Sequence, residues 1–182
     1  VSIFFSMTVF AAEEKIVDDS NHTYSYAEMQ EDIDLLAKKH PDKVKISTIG
    51  TTVDGRAIYQ VVIGNANSQN AIFIMAAIHG REWMNTWILM DSLEMHLDNW
   101  KEKAPSGKTY EEVFENCCIY LIPMVNPDGV DIVTGAIKSN TKEYESAKKI
   151  ANNYSKISFP NGWKANINGV DLKNYQPFCK VL

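Results

Sequence analysis

The sequence predicts an α/β fold, a mixed β-sheet flanked by helices, and two kinds of hydrophobic pattern lead to it. Residues 26–39 carry apolar side chains every three or four positions, which is typical of a helix that buries one face. Residues 71–78 and 117–125 are continuous apolar runs, which favour strands covered on both faces of a sheet. Because a hairpin pattern precedes these runs and a helical pattern separates them, we expect a mixed sheet.

The composition fits one such domain and excludes several other classes of protein. The chain has 182 residues, of which 45% are hydrophobic, so it can form a core. Its 9 glycines, 6 prolines and net charge of −5 exclude collagen-like and disordered chains. Its 23 acidic against 18 basic residues, without a basic run, argue against nucleic acid as a partner. Three cysteines are too few for a disulfide scaffold.

The first elements follow from spacing and from turn residues. Thr23 or Ser25 can cap the helix predicted at 26–39. Residues 44–49 alternate between apolar and polar side chains, as a half-buried strand does, and residues 58–63 form a second strand. An Asp-Gly turn between the two strands predicts a hairpin.

The second half of the chain alternates strands and helices. The apolar run at 71–78 leads into a helix predicted at 83–100, and the run at 117–125 is the next strand. The remaining segments are a short helical turn at 110–116, a polar surface helix at 141–152 and a loop at 155–168.

Two polar clusters, at 79–82 and 126–129, follow the predicted buried strands. Ligands of α/β sheets bind beyond the carboxyl ends of the strands, so both clusters are candidate sites. His79 and Glu82 offer an imidazole nitrogen and a carboxylate oxygen, two of the ligand types that zinc prefers. The alternative is that Glu82 lies in a first helical turn only because the helix dipole favours it there.

The chain resembles the M14 family of zinc carboxypeptidases in an ordered set of motifs that spans residues 22–175. The opening motifs are the Tyr-Ser-Tyr-Ala-Glu-Met helix start and the hairpin, and the first zinc motif reads His-Gly-Arg-Glu-Trp. The motifs lie at residues 24–29, 49–58, 79–83, 123–130, 163–166 and 169–172. The residues of these motifs most resemble those of bacterial members, including members that cut γ-D-glutamyl links in cell-wall peptides.

This resemblance implies a partial catalytic domain with the zinc carboxypeptidase fold at 22–175. It implies a zinc metallopeptidase with Zn²⁺ as cofactor and peptides as substrates, peptidoglycan stem peptides among them. His79 and Glu82 then correspond to two of the three protein ligands of zinc. Lys173 and Asn174 fall on the positions of the family's substrate-binding Asn-Arg pair, with different residue types.

The resemblance also predicts an incomplete C-terminal end. The family's third zinc ligand, a histidine, and its catalytic glutamate belong to segments beyond residue 182, and residues 176–182 form a divergent tail. We therefore assign no catalytic residue and expect weak or absent activity and low solubility or self-association from the isolated chain. The alternatives are a non-catalytic peptide-binding remnant of the same fold and a structural fragment with no function.

Local substitutes for the missing ligand are few. Asp128 and Asp131 follow the neighbouring strand and are candidates, although Asp128 is expected to shape a turn. His96 lies 14 positions after Glu82 on the predicted helix, about 21 Å along its axis, and is excluded. His40, at the end of a helix, is not expected to bind metal either.

The N-terminal dozen residues predict export. Residues 1–12 are almost all apolar or small, but a membrane span needs about 20 such residues, so no span is predicted. The segment resembles the apolar part of a signal peptide that ends at residue 11, which predicts a secreted or extracytoplasmic protein. The alternative is a buried first strand.

Overall fold

One mixed sheet of four strands organises the protein in the computed structural model. The strands are β1 (Val44–Thr51), β2 (Ala57–Gly64), β3 (Ala71–Met75) and β4 (Cys118–Ile122). They lie in the order β1-β2-β4-β3. β2 pairs antiparallel with β1 and with β4, whereas β3 pairs parallel with β4. The sequence-based prediction of a mixed α/β sheet is confirmed.

The structure describes residues 15–18, 20, 23–154, 156 and 158–175. The predicted signal peptide at 1–11 and the predicted tail at 176–182 lie outside these residues. Within the described part, no helix combines the length and the apolar character that crossing a bilayer requires.

Among the described residues, five α-helices and two short 3₁₀ helices accompany the sheet. The α-helices are α1 (Tyr26–Lys39), α2 (Trp83–Asp98), α3 (Tyr110–Glu115), α4 (Pro127–Thr134) and α5 (Lys142–Ala151). The 3₁₀ helices span Gly80–Glu82 and Leu172–Tyr175. Ser25 caps α1 through a capping box with Glu28, as its local sequence predicts.

Helix α4 was not predicted, because residues 126–129 look like a turn that ends a strand. The structure shows that they begin a helix instead. The Asn126 side chain accepts a hydrogen bond from the backbone N–H of Gly129 at 3.1 Å, and Pro127 occupies the first turn. Gly135 ends the helix in the left-handed conformation with φ 79°.

Strand β3 also departs from the prediction. The run at 71–78 was expected to be buried on both faces, but the strand ends at Met75, and Ile72 and Phe73 are 52% and 55% exposed. The reason is its position in the sheet, since among the described strands only β4 lies beside it.

Two hydrophobic clusters hold the elements together. The main core joins buried side chains of α1 and α2, such as Leu36 and Met90, to the sheet. A second core packs α4 and α5 around Trp163, which is 1% exposed. The loop that contains Trp163 is joined to the segment after β3, because the Gly80 and Arg81 N–H groups donate to the Lys164 and Trp163 carbonyls at 3.2 and 3.0 Å.

Candidate metal centre

The corner between β3 and α2 positions the first candidate side chain. Beyond Met75 the chain still pairs with the segment after β4, since the Asn126 N–H bonds the Ala77 carbonyl at 3.1 Å. His79 then has extended backbone and precedes the 3₁₀ helix that contains Glu82. The strand fixes the position of His79, and the short helix brings Glu82 back onto the same side.

His79 and Glu82 meet at this corner. The distance from His79 Nδ1 to Glu82 Oε1 is 2.8 Å, and the side chains are 11% and 35% exposed. Two ligands of a tetrahedral zinc ion with bonds near 2.0–2.1 Å are separated by roughly 3.3 Å. A small increase in the distance between His79 Nδ1 and Glu82 Oε1 would therefore allow both atoms to bind one zinc ion. The two residues fit zinc in this respect.

The second ring nitrogen of His79 faces a carboxylate that the sequence analysis had not singled out. Asp171 Oδ1 lies 3.4 Å from His79 Nε2, which is too long for a good hydrogen bond. His79 Nε2 is buried and has no hydrogen-bond partner among the described residues. Metal-bound histidines usually direct their other nitrogen at a carboxylate or carbonyl, so this arrangement also suits a metal ligand.

The three side chains do not converge on a single point. Asp171 and Glu82 face opposite nitrogens of the His79 ring. Within the residues that the structure describes, no group of three or more His, Cys, Asp or Glu side chains is placed to hold a metal. The corner therefore supplies two potential ligands and one supporting carboxylate.

Asn126 holds the parts of the site together. It is 2% exposed, and its Nδ2 lies 3.1–3.3 Å from the carbonyls of Ile78, Lys164 and Ala165. The Lys164 carbonyl also accepts a hydrogen bond from the Gly80 N–H at 3.2 Å. One buried amide thus links the strand end before His79 to the loop before Asp171.

Asp128 and Asp131 face away from this corner and toward Arg56. Arg56 Nη1 donates to Asp128 Oδ1 at 2.7 Å, and Arg56 Nε lies 3.6 Å from Asp131 Oδ2. Burial, above all, raises the pKa of Asp131, while the Tyr26 N–H and the Arg56 charge oppose this. Burial disfavours the charged form of Arg56, but the bonds to its carboxylate partners outweigh burial and raise its pKa. The structure gives both carboxylates partners in the fold, so neither substitutes for the third ligand.

The predicted substrate-binding pair lies next to Asp171. Lys173 is exposed in the 3₁₀ helix Leu172–Tyr175, and its backbone N–H donates to Asp171 Oδ1 at 3.1 Å. Asn174 belongs to the same helix, and its side chain is outside the described part. The substrate-binding role of Lys173 and Asn174 stays a prediction.

The other described histidines contact residues outside the corner. His40 Nε2 lies 2.9 Å from Asp98 Oδ1 at the end of α1. His96 packs edge-on against Tyr110 and Phe114. Both histidines serve packing and helix ends.

Sequence reasoning found His79 and Glu82 from their local spacing and included Asn126 in a candidate cluster, but it did not place Asp171 beside His79. Asp171 lies 92 positions after His79 in the chain (171 minus 79), so no local pattern joins them. The general preference of metal-bound histidines for a carboxylate partner is the signal that would have prompted a search for it.

Comparison with known proteins identifies the family of the chain. Residues 29–178 match the family model described as zinc carboxypeptidase. The chain is 34% identical over 160 residues to gamma-D-glutamyl-L-diamino acid endopeptidase 1 of Lysinibacillus sphaericus, covering 87% of this chain and 39% of that protein. It is 28% identical over 107 residues to carboxypeptidase B of Astacus astacus, covering 58% of this chain and 33% of that protein. The chain thus spans about two fifths of the length of the first relative and a third of the second.

A solved structure shares the fold. The crystal structure of thrombin activatable fibrinolysis inhibitor superposes with a TM-score of 0.59 at 18% identity, covering 84% of this chain and 32% of that one. At this identity the likeness concerns the fold alone. It supports the zinc carboxypeptidase-like architecture predicted from the motifs.

Proposed function

Because the chain belongs to the M14 family of zinc carboxypeptidases, whose members hydrolyse peptide bonds, we propose that it is part of a zinc-dependent peptidase. In this proposal His79 and Glu82 are two of the zinc ligands. The observation that carries it is the 2.8 Å distance between His79 Nδ1 and Glu82 Oε1 at the carboxyl end of a sheet strand.

The residues of the corner would prepare His79 for this role. A histidine that binds a metal must be neutral, with the lone pair of one nitrogen free. A proton on Nε2 would face Asp171 Oδ1, which leaves Nδ1 unprotonated toward Glu82. Zn²⁺, when bound, would polarise the scissile carbonyl and lower the pKa of a water to about 7.

For the substrate we propose peptides of the bacterial cell wall. The support is the similarity to a relative whose name specifies γ-D-glutamyl-L-diamino acid links. We also propose that the protein acts outside the cytoplasm, because its first residues have the apolar character of a signal peptide. N-terminal sequencing of the exported protein would test the second point, and a mature chain that keeps residues 1–11 would contradict it.

Zinc titration tests the metal site directly. We expect measurable zinc binding by isothermal titration calorimetry, lost in His79→Gln and in Glu82→Gln. Matched controls are His96→Gln and Glu145→Gln, which change the same residue types outside the corner. Zinc binding that survives both changes at the corner would refute the site.

A peptidase assay tests the reaction separately. We expect at most weak zinc-dependent cleavage of a γ-D-glutamyl-diaminopimelate peptide by this chain, abolished by His79→Gln. If the zinc-loaded chain binds this peptide without cleaving it, the chain is a peptide-binding module and the proposed hydrolysis is wrong for it.

A further inference from the structure

A pocket of about 570 Å³ opens beside the candidate metal centre. Its volume lies within the range of ordinary ligand sites, about 300–1,000 Å³. Arg81 and Asp171 contribute to its wall at the side of the corner, and Lys164 lies next to them. The opposite wall comes from α5 and the segment after it, through Ile150 and Tyr154. A peptide that reached the corner would pass this pocket.

Among the described residues that line the pocket, three are cationic and one is a carboxylate. Arg81, Lys156 and Lys164 are exposed, and none of them forms an ion pair with another described residue. The carboxylate, Asp171, already faces His79 and accepts the Lys173 N–H. The whole chain has a net charge of −5, so this local excess of positive charge runs against the overall balance.

The rest of the lining is partly apolar. The Ile150 side chain and the ring of Tyr154 flank the cations, and Ser158 adds a hydroxyl. A ligand with a carboxylate on a short hydrocarbon stem matches this combination, because the stem can lie on apolar surface while the carboxylate meets the cations. Acidic amino acid residues have this chemistry.

We propose that the pocket is a subsite for an acidic residue of the peptide substrate, held by Lys156 and Lys164 together with Arg81. This inference rests on the proposed peptidase function and adds a substrate preference to it. It involves Lys156, which lies on the segment after α5 and belongs to none of the motifs at the metal centre.

Peptide charge provides the first test, with the full 182-residue chain. Binding of acetyl-Ala-Glu-Ala amide is compared by calorimetry with the same peptide carrying Gln or Lys in place of Glu. We expect the Glu peptide to bind at least about fivefold more tightly than the Gln peptide at low salt, and the difference to shrink as salt screens the charges. Equal affinity of the unsubstituted chain for the Glu and Gln peptides would by itself overturn the proposal.

Substitutions then locate the subsite. Lys156→Gln and Lys164→Gln are each expected to weaken binding of the Glu peptide about two- to fivefold and to leave the Gln peptide unchanged. Lys149→Gln is the matched control, because Lys149 is exposed on α5 and does not line the pocket. The same loss in Lys149→Gln would reduce the effect to overall charge and refute the subsite.

Zinc titration of the same proteins separates this inference from the proposed function. Lys156→Gln is expected to bind zinc as the unsubstituted chain does, and His79→Gln to keep the preference for Glu over Gln. Loss of zinc binding with an intact preference for Glu would remove only the peptidase proposal. Zinc binding without that preference would remove only the subsite. Inorganic phosphate that competes as well as the Glu peptide would mark a general anion site and also overturn the peptide assignment.

Discussion

Arg56 and Asp128 join two parts of the fold whose contact cannot be predicted from the local sequence, since the two residues are 72 positions apart. Arg56 Nη1 donates to Asp128 Oδ1 at 2.7 Å, and the Asp128 side chain is 1% exposed. Thr52 Oγ1 donates to the same carboxylate oxygen at 3.0 Å. The β1–β2 hairpin is thereby fixed to the first turn of α4, which begins at the strand end beside the metal centre.

Removal of Arg56 should destabilise the protein strongly. Arg56→Met leaves Asp128 buried without its cation, and breaking a buried pair in this way costs about 3–5 kcal/mol. The free energy of unfolding from urea titration measures the loss. Asp54→Asn is the control, because Asp54 pairs with the same guanidinium from a side chain that is 32% exposed, and it should cost less than about 1 kcal/mol. Similar losses in both variants would show that burial of Asp128 does not matter.

Asp32 should make stability depend on pH. Burial raises the pKa of Asp32 from 3.8 to about 6, the Tyr24 hydrogen bond opposes the rise, and the charges of Glu94, Glu31 and Glu28 add to it. The folded protein therefore holds this proton more tightly than the unfolded chain. The stability that the protonated form contributes is complete below pH about 4 and is lost as pH rises to about 6.

The variant Asp32→Asn isolates this effect, because the amide oxygen can still accept the Tyr24 hydroxyl. Relative to this variant, the unsubstituted protein should lose about 1–3 kcal/mol of stability between pH 4 and pH 7. Chemical unfolding at several pH values measures the difference. Asp34→Asn, an exposed change on the same helix, controls for net charge. A pH-independent difference would show that Asp32 titrates alike in both states.

The close approach of Gly80 and Gly129 should not tolerate a side chain. A Cβ at Gly80 would collide with the backbone of Gly129, and a Cβ at Gly129 would meet the Ala165 carbonyl and the Asn126 amide. We expect Gly80→Ala and Gly129→Ala each to cost about 1–3 kcal/mol in thermal or urea unfolding. Gly50→Ala is the control, because nothing lies near its added Cβ. Tolerance at Gly80 would mean that α4 can move away from the metal centre.

The sequence predicts best those elements whose stabilising contacts lie within one short segment of the chain. Helix α1 has an apolar stripe and a capping box within one segment, and its bounds match the prediction. Helix α4 has a cap and a proline, but the same residues also favour a turn, and only packing on Asn126 decides between them. The exposure of β3 depends on which strands lie beside it, and residues 71–78 alone do not allow that to be predicted.

In the candidate site, too, the local contact is predictable from the sequence and the long-range contact is not. The contact between His79 and Glu82 spans three residues and follows from a strand-to-helix corner. The contact between His79 and Asp171 depends on the Trp163 core and on the bonds of Asn126, which form only when distant segments fold together.

Strand β3 should cause self-association of the isolated chain. Ile72, Phe73 and Met75 are 52%, 55% and 42% exposed, and exposed apolar edge strands pair with other chains. Light scattering after size-exclusion chromatography should give a mass that rises with concentration, and Phe73→Lys should lower it. Val53→Lys is the control, because Val53 is 60% exposed on the hairpin turn. A monomer at all concentrations would contradict the expectation.

Asp171 should tune the affinity of the proposed metal site for zinc. Its Oδ1 lies 3.4 Å from His79 Nε2, and such supporting carboxylates are commonly worth about 10–100-fold in metal affinity. We expect Asp171→Asn to weaken zinc binding by this factor in calorimetry at constant pH, and Asp171→Glu to restore part of it. Lys173→Ala is the control, because it keeps the backbone N–H that bonds Asp171. Unchanged affinity in Asp171→Asn, together with a loss in His79→Gln, would show that His79 binds zinc without help from Asp171.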